Sequence, residues 1–327
     1  MTRWLRVLGK WGLTAAIAVA LWWTVDLSGV RTALRGAHWG WIALALLLLP
    51  ANLALDGWVW ARLLRGVPGT ESSRQLVAAL FCGFALGFWT PARLGEYAGR
   101  ALSLPDADPW TVSLSVFAQR MVDMLVGVGV GLAVLLGALY GGLLPASTIG
   151  YATAAVGAIT TVALGGAVLA PGRCAAWIEP VAHWVPGLPA RLRYFRGLRL
   201  RDGGPAVGGT VVRYVVFTGQ FVCLSLALAP NLPLLPLCVA VALTFYVKYL
   251  IPSLTLLDLG IREGGAVLFF GLLGLPPAVG LSAALLLFTM NVLLPAVGGL
   301  PLVWRLSPLQ RSPAVGEADD APAMAKP

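Results

Sequence analysis

The stretch "GFWTPARLGEYAGRAL", Gly87 to Leu102, decides how this chain folds. It continues the apolar segment 76–89, yet it contains a proline, two arginines and a glutamate. A helix that crosses a bilayer needs about 20 predominantly apolar residues, and a proline inside a helix removes a hydrogen bond and kinks or breaks it. The stretch therefore predicts a short, broken helix that carries charged side chains into an apolar environment.

The composition is that of an all-α polytopic membrane protein. Of the 327 residues, 58% are hydrophobic and 11% charged, and the mean hydropathy is +0.83; soluble domains have roughly 45–50% and about 25%. The net charge of +9 is therefore typical of cytoplasmic loops and lipid contacts rather than nucleic-acid binding. Neither the two histidines nor the spacing of the four cysteines indicates a metal or cofactor. The long apolar segments are 7–25, 39–60, 110–140, 149–170, 207–229 and 277–304.

Three further apolar segments are too short to span alone: Leu76–Trp89, Leu237–Ile251 and Glu263–Leu275. The first leads into "TPARLGEY", and the other two flank "IPSLTLLDLGIREGG". If both broken elements are re-entrant, fifteen basic residues of the loops and termini lie in the cytoplasm, and only Arg31 and Arg35 lie outside. If only the first short segment spans fully, the six-arginine loop is placed outside. Charge therefore favours six full spans plus two re-entrant helical hairpins, with both termini on the cytoplasmic side of the cell (inner) membrane.

This topology predicts an inverted repeat within the membrane domain 1–306. Half one, about 1–145, and half two, about 146–306, each contain two spans, a re-entrant element and a third span. Three crossings is an odd number, so the halves are inverted relative to each other, as in many transporters. The basic segment 173–205 is predicted to be amphipathic on the cytoplasmic surface, and residues 307–327 form a Pro/Ala-rich tail predicted to be disordered.

The two broken elements share a pattern. Pro91 precedes "LGEYAG" and Pro252 precedes "LGIREG", so each element places a glutamate between two glycines. The glycines have the small-xxx-small spacing that allows close backbone approach.

Charges inside apolar segments identify the candidate site. A lone charge at mid-bilayer costs about 2.5–3.5 kcal/mol on insertion scales, so these groups must face each other, water or a polar ligand. The acids are Asp56, Glu96, Asp123, Asp258 and Glu263, and the bases are Arg93, Arg100, Arg120, Lys248 and Arg262.

Two interpretations of these charges remain open. Glu96 and Arg100, and Arg120 and Asp123, have helical pairing distances and either lock the broken helices or line a cleft for a lipid headgroup. Arg93 and Arg262 have no partner at the favoured spacing, so we expect them to contact phosphate through their planar forks. Lys248 either joins them or extends its amine to the interface. The predicted headgroup groove consists of Arg93, Glu96, Arg100, Arg120, Asp123, Lys248, Arg262 and Glu263.

The motifs "TPARLGEYAGRAL", "QRMVDML" and "IPSLTLLDLGIREGGAVLFF" resemble the membrane region of lysylphosphatidylglycerol synthases and their stand-alone, flippase-like relatives, over most of residues 1–306. This resemblance implies movement of modified phospholipid between leaflets. Aminoacyl transfer in that family belongs to a separate soluble domain, and this chain ends about twenty residues beyond its last span, so we expect lipid handling without aminoacylation. Gln119 departs from the acidic residue expected there, which argues against a proton relay.

Three functions are weighed on these grounds. The first is a lipid translocator without enzyme activity or cofactor, whose partners are membrane phospholipids, anionic or phosphate-bearing. The second is a transferase acting on a lipid-linked sugar, for which Asp106 and Asp108 are the only close acidic pair near the membrane surface. The third is a scaffold for envelope lipid or glycan biosynthesis enzymes. The glycine-rich fourth long segment is also compatible with a homodimer.

Overall fold

The computed structural model describes residues 36–90, 93–173, 194, 200–251 and 260–305. Within these ranges the ordered elements are helices, without a β-strand. They are α1 (Trp39–Leu63), α2 (Ser73–Phe88), α3 (Leu94–Leu102), α4 (Pro109–Tyr140), α5 (Thr148–Leu169), α6 (Leu200–Leu228), α7 (Leu234–Leu250), α8 (Ile261–Leu272), α9 (Pro277–Phe288), a π-helical turn (Thr289–Leu293) and α10 (Leu294–Arg305).

Five helical stretches are long and apolar enough to cross a membrane: α1, α4, α5, most of α6, and α9 through α10. They confirm five of the six predicted spans and the all-α polytopic class. The first predicted span, 7–25, lies outside the described residues, as do the tail 307–327 and most of the basic segment 173–205.

The first broken stretch forms a helical hairpin. Because Gly99 lies against the Cys82 carbonyl and Gly95 against the Leu86 carbonyl, α3 runs antiparallel to α2. A methyl group on Gly99 would lie 2.6 Å from that carbonyl oxygen, so the small-xxx-small prediction is confirmed here. The chain reverses through Arg93, whose φ of 56° is left-handed.

The two ends of this hairpin meet. Gly69, in the turn before α2, packs against the backbone of Asp106, in the turn after α3. The residues that flank the hairpin on either side therefore lie next to each other.

The second broken stretch forms a related element from α7 and α8, joined through residues of which 252–259 lie outside the described part. Gly265 of α8 contacts Thr244 of α7. Gly260 begins α8 with a φ of +108°, and its N–H donates to the Glu263 carboxylate at 2.8 Å. The prediction that Gly260 and Gly264 allow close packing is wrong for the described residues, since none of their atoms lies within 4 Å of a Cβ built on either glycine. Gly265 makes the approach instead.

Each hairpin ends beside the middle of a long helix from the other half. The Phe88 ring at the end of α2 lies 6.2 Å from that of Phe288, where α9 meets the π-helical turn. Tyr249, near the end of α7, packs against Gly127 in the middle of α4. The end of α2 therefore lies beside the middle of the last long helical stretch, and the end of α7 lies beside the middle of α4.

Helices α1 and α6 join the halves along their length. The His38 N–H donates to the Ala227 carbonyl at 2.8 Å, and the Gln220 side chain donates to the Ala45 carbonyl at 2.9 Å. At the other end Val59 shares an apolar cluster with α6. The helices are therefore antiparallel. The polar side chains in the middle of each helix face the ends of α2 and α7.

Candidate functional site

A cavity of about 90 Å³ lies between Arg93, the end of α7, the start of α8, helices α1, α2, α4 and α6, and the π-helical turn. A buried water needs about 10–15 Å³ on this measure, so the cavity has room for several waters or for a small polar group. Its lining combines five cationic side chains with one carboxylate. The lining residues are Asn52, Leu53, Asp56, Phe84, Arg93, Arg120, Arg213, Phe217, Lys248, Tyr249, Arg262, Asn291 and Val292.

Glu96 is the buried anion around which the first hairpin is organised. Its side chain is fully buried, yet it pairs with three arginines. Arg100 lies 2.5 Å from one carboxylate oxygen, and Arg93 lies 3.4 Å from the other, which Arg120 of α4 also contacts. Glu96 also lies in the first turn of α3, where the helix dipole favours negative charge.

A second set of ion pairs connects the halves. Arg213 of α6 pairs with Asp56 of α1 and lies 3.1 Å from Asp123 of α4. Arg120 lies 3.3 Å from the same Asp123 oxygen. The Gln119 amide donates to Asp56 at 3.0 Å and accepts from Arg100 at 2.8 Å. Gln119 therefore bonds to both an acid and a base. An acidic side chain at this position would have no N–H group to donate to Asp56.

The second hairpin contributes a smaller group of charges. Arg262 pairs with its neighbour Glu263 and lies 5.5 Å over the Phe288 ring. Lys248 lies 5.1 Å over the Tyr249 ring. Glu263 occupies the first turn of α8, as Glu96 does in α3.

A pair of side-chain amides lines the cavity where the two halves meet. Asn52 of α1 donates to Asn291 of the π-helical turn at 2.7 Å. This hydrogen bond joins the two halves, because α1 belongs to half one and the π-helical turn to half two. Turns of this kind occur often at functional sites.

The structure brings all eight predicted site residues into this region, although only Arg93, Arg120, Lys248 and Arg262 line the cavity. The predicted pairs Glu96–Arg100 and Arg120–Asp123 are confirmed. The expectation that no partner lies at the favoured helical spacing is wrong for Arg93, which pairs with Glu96 three residues on, but it holds for Arg262 among the described residues. The left-handed start of α3 turns Arg93 onto Glu96, and Arg262 reaches its immediate neighbour. That any of them touches a lipid stays a prediction.

Arg213 is the residue that the sequence prediction missed. It stands alone in the apolar segment 207–229, and an ionisable residue at such a position is by itself a functional signal. Asp258 lies outside the described residues. Of the acidic pair considered for an enzyme, Asp108 caps α4 by accepting from the Thr111 N–H at 2.8 Å.

Counting Arg213, six basic and four acidic side chains of the described chain meet here, an excess of two positive charges. Removing ions from water is costly even when they are paired. Packing alone therefore does not explain why so many ionic side chains are gathered in one place.

The comparisons with known proteins identify the family of the chain. The family described as "Lysylphosphatidylglycerol synthase TM region" matches residues 10–299, which is most of the chain. A search of curated proteins finds no match, and a search of solved structures finds none either. The match links this integral membrane protein to lipid-related processes. The chain belongs to the lysylphosphatidylglycerol synthase transmembrane-region family.

Proposed function

We propose that this protein is a translocator, not an enzyme, that moves the phosphate-bearing headgroup of a lipid between leaflets while the acyl tails stay in the bilayer. The observation that carries the proposal is that Arg93 and Arg262, one from each broken element, line the same cavity. Arginine forks suit phosphate because they donate two parallel hydrogen bonds. Both arginines lie at the beginning of a helix, α3 and α8 respectively, where the helix dipole adds partial positive charge.

The charged lining lowers the cost of bringing a headgroup into the membrane. An ion at mid-bilayer costs several kcal/mol unless it finds partners or water. The cavity offers such partners, because Arg93 and Arg120 line it and keep 24% and 31% of their side-chain surface accessible. A phosphate arriving there exchanges water for arginine donors, so its passage does not require a bare charge in hydrocarbon.

The topology that we propose for this route has two re-entrant hairpins in an inverted repeat, with both termini in the cytoplasm. The packing supports it, because α2 packs on α10 as α7 packs on α4, and α3 packs on α4 as α8 packs on α9. Each of these contacts in one half therefore has a counterpart between the equivalent helices of the other half. Glu96 and Glu263 occupy the same position in the second helix of their hairpins.

Cysteine labelling tests the topology. In a cysteine-free background, Arg65→Cys and Asp106→Cys should react with an impermeant maleimide only after the cells are permeabilised, because both ends of the first hairpin face the cytoplasm. Ala146→Cys and Asn231→Cys should react in intact cells. Labelling of Arg65→Cys and Asp106→Cys from opposite sides would show that the first element crosses the membrane.

Translocation in reconstituted vesicles tests the function. Arg93→Gln or Arg262→Gln should slow the exposure of acyl-labelled phosphatidylglycerol by about tenfold or more, since a hydrogen bond to a charged group contributes about 1.5–3 kcal/mol. The matched control is Arg74→Gln, which removes an exposed arginine at the start of α2. If both cavity variants match the wild-type rate while remaining monodisperse, these arginines do not act on the headgroup. If the wild type moves no lipid, the proposed function is wrong.

A further inference from the structure

We infer that the start of α8 is the moving part of this translocator, whereas α3 is a fixed wall of the cavity. The inference rests on the proposed function and adds to it which of the two broken elements opens the cavity. At the beginning of each helix an arginine lines the cavity, Arg93 for α3 and Arg262 for α8. The two helix starts differ in what they are bound to, and this difference decides which of them can move.

The beginning of α3 is held by other helices. The Glu96 carboxylate pairs with Arg120 of α4, and Arg100 lies 3.4 Å from the Asp56 carboxylate of α1. A methyl group on Gly95 would overlap a backbone carbonyl of α2, so the two helices of the first hairpin are at their closest approach. Moving α3 would separate buried ion pairs and leave charges without counter-ions, which is strongly unfavourable. Helix α3 is therefore fixed.

The beginning of α8 lacks such ion pairs to other helices among the described residues. The Glu263 carboxylate accepts from the Gly260 N–H at 2.8 Å and pairs with Arg262, so its partners belong to the same turn. Arg262 faces the Phe288 ring of α9 at 5.5 Å, a contact without the fixed geometry of a hydrogen bond. No described atom lies within 4 Å of a Cβ built on Gly260 or Gly264. The first turn of α8 can therefore move with its ion pair intact.

The other end of α8 is anchored, which gives this movement a pivot. Ala266 and Phe270 are fully buried in the main apolar core. The Phe270 ring stacks on Phe221 of α6 with centroids 6.1 Å apart, and it packs against Gly280 of α9. A helix that is held in its second half and free in its first tilts about the anchored end. The tilt moves Arg262 and opens the cavity on the side of the second hairpin, which is the outer side in the proposed topology.

Reversible cross-linking tests which element moves. In a cysteine-free background, Thr244→Cys with Gly265→Cys joins α7 to α8. A Cβ on Gly265 lies 3.6 Å from the Thr244 Cα, and the two Cβ atoms of a disulfide lie about 3.5–4.5 Å apart. The matched control, Gly129→Cys with Thr161→Cys, joins α4 to α5, where the Cβ lies 3.7 Å from the Thr161 Cγ2.

The readout is translocation of acyl-labelled phosphatidylglycerol by the same vesicles before and after oxidation. We expect oxidation of the α7–α8 pair to slow translocation by at least about tenfold, because the opening step then limits the rate, and a reductant to restore it. Oxidation of the α4–α5 pair should leave the rate unchanged. If the α7–α8 cross-link has no effect, or if the control cross-link slows transport equally, α8 is not the moving part.

Pulsed electron paramagnetic resonance measures the movement without lipid transport. One spin label is placed on α5 by Ile159→Cys, and the other on α8 by Gly264→Cys or on α3 by Ala98→Cys, all at exposed positions. We expect two distance populations for the α8 label and one for the α3 label. Single populations of equal width at both positions would overturn the inference. Two populations for α8 in a protein that moves no lipid would defeat the proposed function alone, and transport with a single population would defeat the movement of α8 alone.

Discussion

Glu96→Gln is expected to destabilise the protein by about 3–5 kcal/mol, the range for removing one partner of a buried ion pair. The fully buried Glu96 carboxylate is shared by Arg93, Arg100 and Arg120. A neutral amide would leave these guanidiniums close together without their common counter-ion. Unfolding in detergent, followed by the loss of helical signal with temperature or denaturant, measures the effect. Lipid translocation should be lost as well, because the first hairpin depends on this residue.

Two carboxylates provide matched controls for that variant. Glu263→Gln removes the carboxylate at the same position of α8, but only one arginine, Arg262, loses its counter-ion. The new amide oxygen can still accept from the Gly260 N–H, and Phe288 still faces that arginine. Its effect should be clearly smaller. Asp106→Asn, at an exposed turn, should change stability by less than about 0.5 kcal/mol. Equal effects of the Glu96 and Glu263 variants would contradict the central role assigned to Glu96.

Gly99→Ala is expected to destabilise the first hairpin by about 1–3 kcal/mol, the usual cost of overpacking. The added methyl group would lie 2.6 Å from the Cys82 carbonyl oxygen and 2.9 Å from the Gly83 Cα. These are backbone atoms, so no rotamer change can relieve the clash, and α3 must move away from α2. The measurement is the same unfolding experiment, combined with translocation.

Gly264→Ala is the control because it makes the same change in the second hairpin. Gly264 is exposed, and no described atom lies within 4 Å of the position that its added methyl group would occupy. Alanine is favoured over glycine inside a helix by up to about 1 kcal/mol, so this variant should be neutral or more stable. The two substitutions should therefore differ in sign. A stabilised Gly99→Ala protein would show that α2 and α3 do not pack as described.

Local composition was sufficient to predict the helical class, five spans and the position of both breaks. A window of about 20 residues reports directly whether a segment can span hydrocarbon, and "TPARLGEY" interrupts such a window with residues that hydrocarbon excludes. The pair Glu96–Arg100 was also accessible, because four residues along a helix bring side chains to one face. These features depend on neighbours in the chain.

Contacts between distant segments could not be predicted from the local sequence in the same way. Arg213 pairs with Asp56 and Asp123, which are far away in sequence, and no local spacing encodes those distances. The hydrogen bond between Asn52 and Asn291 likewise joins residues that are 239 positions apart in the chain. The second glycine pair failed because spacing shows which residues share a helix face, not which face meets a neighbour. Gly265 makes that contact instead.

The π-helical turn at Thr289–Leu293 also sets the rotational phase of α10. Such a turn accommodates one residue more than an α-helical turn, which corresponds to about 100° of rotation at 3.6 residues per turn. Downstream of it, Gly299 faces the Phe81 carbonyl of α2 so closely that no side chain would fit. Deleting one residue from the turn would rotate this glycine away and bring a bulkier neighbour onto α2. The additional residue in this turn therefore orients Asn291 towards Asn52, and it also allows the first hairpin to pack against α10.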